Sequence, residues 1–423
     1  MTIPRILLAA ILISKTLSAG EAEQWPQWRG PDRNGISKEK NVNAEWPKDG
    51  PKKLWSATVG TGCSSVIVAN SKVYTMGNNA VIAAKLKPTT TNDDKKPVEK
   101  STVVEPDMDF IYCLNADTGV EVWRYGYVQP LEASGFPGGP CSTPCVDANK
   151  LYAMNKRGRV FCLDADKGTL LWDSDPQEKI GKPVSFGGMS TSPIVEGDLL
   201  IAGANAFDKM TGKVRWTLKT SCRWSSPLIT TLEGKRVVIT FSEKGVACAD
   251  VADGTEKWFV PFPCDQAAAD PILQGNELFI CTRTTKAADP DTALIKFTLA
   301  GAEIIWKNKN FMSYFQVRVW HEGAVIGCDE KNLICVDFKT GEVKWTIPGC
   351  GRGQVLIAGN KLLLMLEGKL IVADVSDGAF KELSRLQVGG GGISVLPVLC
   401  GGRIYCRGSS GVNNLVCLDV SAK

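Results

Sequence analysis

The chain has 423 residues, a formal charge of +4, and 22% charged against 44% hydrophobic residues, the balance of a globular protein long enough to bury a sizeable core. So small a charge points to no nucleic-acid partner, and a single histidine, His321, excludes a multi-histidine metal centre.

Taken in chain order, residues 1–20 read as a cleavable secretory signal. Arg5 precedes an apolar run over residues 6–13 that is too short to span a membrane, and Ser18-Ala19-Gly20 supplies small residues for cleavage. Losing Arg5 and Lys15 with it lowers the formal charge from +4 to +2. No Cys lies near the cleavage region, so the mature chain is expected to carry neither a lipid anchor nor a transmembrane segment. A periplasmic or secreted monomer is the expectation. Residues 21–51 form a leading segment whose Trp25 and Trp28 are expected to pin it against a face of the domain that follows. That domain occupies residues 52–423. Within it, residues 85–107 are rich in Thr, Asp, Lys and Pro and are expected to form a flexible, solvated insertion.

One phrase recurs through the rest of the chain. Cys113-Leu-Asn-Ala-Asp-Thr-Gly119 with Trp123, Cys162-Leu-Asp-Ala-Asp-Lys-Gly168 with Trp172, and Cys335-Val-Asp-Phe-Lys-Thr-Gly341 with Trp345 are the clearest copies. Phe207-Asp-Lys-Met-Thr-Gly212 with Trp216 and Cys248-Ala-Asp-Val-Ala-Asp-Gly254 with Trp258 are looser ones, and in all five the Trp follows the Gly by four residues. Asn or Asp before the turn can hydrogen-bond the backbone ahead, and Gly supplies the positive φ that closes it, so each copy reads as a hairpin. The Trp-to-Trp period of roughly 40–50 residues fits one four-stranded propeller blade.

Trp123, Trp172, Trp216, Trp258, Trp306 and Trp345 mark six blades, with Trp306 five residues after Gly301. A seventh copy, Val372-Ala-Asp-Val-Ser-Asp-Gly378, has Leu383 near the Trp position. The last, Leu415-Val-Cys-Leu-Asp419, lacks a following strand, and Lys53-Leu-Trp55-Ser-Ala-Thr58 at the other end can supply it. The sequence therefore predicts an all-β, eight-bladed propeller of four-stranded blades, closed by pairing an N-terminal strand with the C-terminal blade.

The 15 cysteines fall into groups. Cys113, Cys162, Cys248, Cys335 and Cys417 share one slot of the repeat and read as small buried hydrophobes. Cys141 and Cys145, four apart on one predicted strand, are about 13 Å apart and too far to bridge. Cys63, Cys141, Cys222, Cys264 and Cys350 each precede an innermost strand and would line one rim of the channel as a ring of thiols. Such a ring offers a cross-blade disulfide, Cys222 with Cys264 for example, or a soft-metal site.

The Leu-Asp-Ala-x-x-Gly-x-x-x-Trp phrase resembles the repeat of the pyrroloquinoline-quinone-like propellers. That superfamily includes quinoprotein alcohol dehydrogenases and the non-enzymatic outer-membrane assembly factor BamB, both eight-bladed. Trp25-Pro-Gln-Trp28-Arg29-Gly30-Pro31 also looks like the opening of exported members. A quinoprotein, as the resemblance implies, stacks its quinone under a disulfide of two adjacent cysteines and holds calcium with carboxylate and amide oxygens. This chain has no Cys-Cys pair and no Cys-x-x-Cys-His haem sequence. Asp265 and Asp270 lie near a mouth of the channel, but no motif marks a catalytic acid or a metal ligand. A lipid anchor of the BamB kind is also missing.

Arg223, Arg318 and Arg352 fall near innermost strands, and guanidinium forks suit carboxylates, sulfates and phosphates. With Trp224 as a stacking face and Ser225, Gln316 and Gln354 as companions, they form the candidate ligand site at the channel mouth. The expected function is an exported, non-catalytic binding or scaffolding module for a protein, glycan or small anion, with no cofactor. The alternative is a quinoprotein oxidoreductase using the quinone with calcium on an alcohol or sugar.

Overall fold

The repeated turn folds as its residues require. Asn115 Oδ1 accepts the N–H groups of Asp117 and Thr118, and Gly119, at φ 68°, donates its own N–H to the Asn115 carbonyl. Asp164, Asp208 and Asp337 do the same for the turns that end at Gly168, Gly212 and Gly341. The computed structural model describes residues 24–80, 107–133, 136–176, 188–220, 223–286, 288–376, 378–390 and 392–422. The signal segment, all but residue 107 of the 85–107 insertion, and Cys222 lie outside the described residues.

Eight antiparallel sheets form an eight-bladed β-propeller. Their innermost strands, blade 1 to blade 8, are Ile67–Ala69, Cys145–Asp147, Ile194–Glu196, Leu228–Leu232, Ile272–Gln274, Arg318–His321, Gln354–Ala358 and Val398–Cys400. Lys53–Ala57 pairs antiparallel with Leu415–Asp419 and is the fourth strand of blade 8, so the two ends of the ring are joined by a hydrogen-bonded ladder. His321 ends the first strand of blade 6 beside the Glu322-Gly323 turn.

Packing between blades explains the repeat. In the two outer strands of most Trp-bearing blades the Trp sits directly across from a small residue of the next strand in, whereas Trp306 faces Leu294. Trp123 faces Cys113, Trp172 faces Cys162, Trp216 faces Ala206, Trp258 faces Cys248 and Trp55 faces Cys417. A β-bulge follows each pair and re-aims the ring toward the neighbouring blade. There the ring lies on the turn glycine: a Cβ on Gly119 would come within 2.5 Å of Trp55, and one on Gly168 within 2.5 Å of Trp123. Each indole N–H then donates to that turn, Trp55 to Ala116 O at 2.9 Å and Trp123 to Ala165 O at 3.1 Å. The lock loosens late in the ring. Trp306 seats on Gly341, yet its N–H and that of Trp345 lack acceptors among the described residues.

The leading segment does not lie on an outer face; it crosses the central channel. Trp25 is buried and exchanges backbone hydrogen bonds with Val68 of blade 1, and Pro26 O accepts the Val146 N–H of blade 2. Arg33 reaches the carbonyls of Pro193 and Pro227, which lead into blades 3 and 4. Trp28 Nε1–H donates to Asp270 of blade 5 and Arg29 donates to the Arg318 carbonyl of blade 6. Ile36–Ser37 adds a parallel strand to blade 7, and Asn43 N–H donates to Val420 O of blade 8. One short segment thus ties all eight blades together and divides the channel.

Candidate functional site

Two residues before the innermost strand, several blades carry a short polar side chain, and these form a belt. Ser65 N–H donates to Thr143 Oγ1 at 3.0 Å, Thr143 N–H to Ser192 Oγ at 3.0 Å, Ser192 N–H to Ser226 Oγ at 3.1 Å, and Ser226 N–H to Asp270 Oδ1 at 2.6 Å. Each backbone donor is satisfied by the next blade, which sets the blades in register and fixes the loops that lead into them. The dipeptides Ser64-Ser65, Ser142-Thr143, Thr191-Ser192 and Ser225-Ser226 are its mark in the sequence.

Above the crossing segment the belt encloses a cavity of about 420 Å³, a volume suited to a small molecule. Trp28 and Arg29 of the crossing segment contribute to its lining, and a second cavity of about 370 Å³, also bounded by Arg29, lies beyond them. Trp28, Phe136, Trp224, Tyr314 and Phe315 give the first cavity aromatic walls. Its charged residues are Arg29, Arg283, Arg318 and Arg352 against the single carboxylate of Asp270.

The inner arginines are the notable feature. Arg29, Arg33 and Arg318 are 3%, 8% and 1% exposed. Arg318 donates to the carbonyls of Gln316 and Asp270 at 3.2 and 2.8 Å, and Arg29 to those of Asn34 and Arg318 at 3.1 and 2.7 Å. These acceptors carry no charge, and the Nε of all three lacks a hydrogen-bond partner among the described residues. Burial pulls Arg29 down to about 10 while the Asp270 carboxylate opposes the shift; Arg33 is lowered in the same way. The site is therefore a desolvated positive pocket at neutral pH.

Of the seven residues expected at the mouth, Trp224, Gln316, Arg318, Arg352 and Gln354 line this cavity and Arg223 and Ser225 do not. Arg223 pairs with Glu243 at 2.8 Å and lies 4.6 Å over the Trp224 ring, while Ser225 is buried behind the belt. Arg352 is paired with Glu330 at 2.8 Å, and Gln354 Oε1 accepts the Val317 N–H at 2.8 Å. Gln316 Oε1 accepts the N–H groups of Tyr314 and Phe315. Sequence reading missed Arg29 and Arg283, because neither belongs to the repeat slot from which the channel residues were chosen.

The ring of thiols is not assembled as expected. Cys63 and Cys141 line the cavity, but Cys264 and Cys350 do not. Cys264 faces the Ser242 carbonyl, Cys350 packs on the core between blades 6 and 7, and Cys222 lies outside the described residues. The repeat cysteines are buried, and burial pushes Cys113, Cys162, Cys248 and Cys417 up to about 12.

The residues fit the two parts of a quinone–calcium centre unequally. Guanidinium forks match the carboxylates of such a quinone. Calcium needs six to eight oxygens, whereas Asp270 already accepts the Ser226 N–H and the Trp28 Nε1–H, both at 2.6 Å. No group of three or more His, Cys, Asp or Glu among the described residues is placed to hold a metal ion. The calcium does not fit.

A fully buried acid lies in blade 1. Asp109 is pushed up to about 6 by burial, against the hydrogen bonds it accepts from Asn78 Nδ2 at 2.8 Å and Tyr127 OH at 3.3 Å. A raised folded-state value means that the native protein binds the extra proton, so stability from this group falls as pH rises from about 4 to about 6. Asp109→Asn is expected to abolish that slope and to raise stability at pH 7 by on the order of 2–3 kcal/mol. Urea midpoints measured between pH 4 and 7 check it.

A family model described as outer membrane protein assembly factor BamB matches residues 107–347. BamB from Moraxella catarrhalis superposes with a TM-score of 0.54 at 15% identity, over 73% of this chain and 88% of that one. Quinohemoprotein alcohol dehydrogenase from Comamonas testosteroni superposes with a TM-score of 0.65 at 13% identity, over 95% and 81%. The computationally designed Ika8 protein gives 0.54 at 10% identity, over 90% of this chain and all of that one. Likeness at these identities establishes the fold alone. No curated protein matches the sequence.

Proposed function

The chain belongs to the family described as outer membrane protein assembly factor BamB, and within that family we propose that it is an exported, non-catalytic binding module whose central cavity takes a small, flat organic anion. The observation that carries this reading is the excess of buried guanidinium charge over the lone Asp270 carboxylate in an aromatic-walled cavity. An anion there would compensate charge that the fold leaves unpaired. Export is supported by the character of residues 1–20, and no helix among the described residues is long and apolar enough to cross a membrane. The engaged oxygens of Asp270 favour binding over calcium-dependent oxidation.

Isothermal titration of the purified protein with pyrroloquinoline quinone and with citrate, each with and without calcium, tests this. Saturable binding that is independent of calcium and weakened about 10-fold or more in Arg283→Ala is the expected result. Arg283 is the chosen position because it is half-buried and lies 5.5 Å from the Tyr314 ring rather than in the buried core. Binding that requires calcium, accompanied by alcohol oxidation, would replace the reading with a quinoprotein oxidoreductase. No binding of either anion at millimolar concentration would overturn it and turn the search to protein or glycan partners.

A further inference from the structure

The loops that lead into blades 1 and 2 are stitched together at the cavity wall. The N–H groups of Cys63 and Ser64 both donate to Pro140 O, at 2.9 and 3.1 Å, so Cys63 is bonded to the residue just before Cys141. Glycines make this approach possible: a Cβ on Gly139 would meet Thr61 O at 2.1 Å, and one on Gly62 would meet Pro140 O at 2.7 Å. The two thiols are half-buried and open on the same cavity, and the Cys141 S–H faces the Gly139 carbonyl at 3.9 Å.

A buried cation stands behind them. Arg407, in the second strand of blade 8, is 1% exposed and bonds only neutral oxygens, those of Ser64 and Thr75. Its Nε and Nη2 have no partner among the described residues. The groups that favour its charge are Cys63, Tyr112 and Cys141, with no carboxylate among them. A buried guanidinium without a counter-ion is costly, and of the three groups that favour its charge Cys141 is the one held below its usual range, while Cys63 and Tyr112 are pushed up. The neighbouring Cys63 holds the Cys141 thiol below its usual range against the opposing effect of burial, with Lys156 and Arg407 adding to the lowering.

We propose that Cys63 and Cys141 are a redox-active pair that forms a reversible cross-blade disulfide on the cavity wall, with Cys141 as the attacking thiolate and Arg407 as its fixed counter-ion. The oxidant is a small-molecule disulfide. Cys141 Sγ attacks one of its sulfurs, forming a mixed disulfide and releasing one thiolate. Cys63 then loses its proton and its sulfur attacks Cys141 Sγ, closing the protein disulfide and releasing the second thiolate. The two thiolates take up the Cys63 proton and the one that Cys141 had released to solvent. The protein loses two electrons and the small disulfide becomes two thiols. This inference stands independently of the anion proposed above.

Incubation of the purified, folded protein with oxidised glutathione, followed by proteolysis without reductant and mass spectrometry, tests it. The expected product is a Cys63–Cys141 linked peptide, reversed by reduced glutathione. With limiting iodoacetamide at pH 7, Cys141 is expected to react about 10-fold faster than the half-buried Cys350. In Cys63→Ser the glutathione adduct on Cys141 accumulates because nothing resolves it, and in Cys141→Ser Cys63 stays unmodified. Recovery of both residues as free thiols after oxidation, or alkylation of Cys141 no faster than Cys350, overturns the proposal.

Discussion

Trp216→Ala is expected to destabilise the protein by about 3–5 kcal/mol, as complete truncation of a large buried aromatic does. Trp216 is 8% exposed, and its ring lies against Gly254 of the next blade while Nε1–H donates to Val251 O at 3.0 Å. The substitution removes buried apolar area, orphans a carbonyl and opens a void at a seam that neither blade closes by itself. Because the face of each blade is buried against its neighbours, the loss is shared by both. The seat of the ring is tested from the other side by Gly254→Ala, where the added methyl meets a positive φ of 72° and lies 2.8 Å from the indole. Gly275→Ala is the control, since its φ is +60° but nothing lies within 4 Å of the new Cβ. The control carries only the backbone cost of about 1–2 kcal/mol. Gly254→Ala should exceed it by about 1–3 kcal/mol of overpacking. Equal urea midpoints for the two glycine variants, read by circular dichroism, would show that the ring does not depend on this seat.

Asp270→Asn is expected to cost about 3 kcal/mol in stability and to tighten anion binding, effects of opposite sign from one change. Asp270 is the carboxylate that sustains the charges on Arg29 and Arg33, and both its oxygens accept strong hydrogen bonds, from Trp28 and Ser226. The asparagine keeps one acceptor and turns an N–H₂ toward a donor, so a hydrogen bond and a counter-ion are lost together. Adding Arg29→Met removes one of the buried charges left uncompensated and should recover part of the loss, a coupling that a double-mutant cycle measures. In the single variant citrate should raise the midpoint more than it does in wild type, through preferential binding to the native state. A variant as stable as wild type would mean that solvent, not Asp270, balances the arginines.

The repeat made most of the fold legible. Asn or Asp, Gly and Trp at set spacing specify a local turn and mark one blade per repeat, and local physics of that kind is written in adjacent residues. The same holds for Trp55, whose strand had no partner nearby and whose copy of the phrase showed where it belonged. The slot shared by Cys113, Cys162 and Cys248 could be read as apolar, though the reason it must be small, a Trp directly across the ladder, lies in the register.

The site was only partly legible, because it is built from residues that no local pattern relates. Arg318, Arg352, Trp224, Gln316 and Gln354 could be placed by their position at or just before innermost strands, and they do line one cavity. Arg223 follows the same rule yet turns away to Glu243, since an ion pair nearby competes with the channel. Arg29 and Trp28 come from a segment outside the repeat, and Cys63 meets Cys141 and Arg407 only where blades 8, 1 and 2 converge. By itself the sequence determined the number of blades, their closure and the tryptophan that marks most of them, all consequences of short-range spacing. The tertiary structure alone decided that the leading segment enters the channel, which arginines share one carboxylate and which two thiols face one cavity. Those are long-range contacts, set by ring closure and by the charge that burial leaves without a partner.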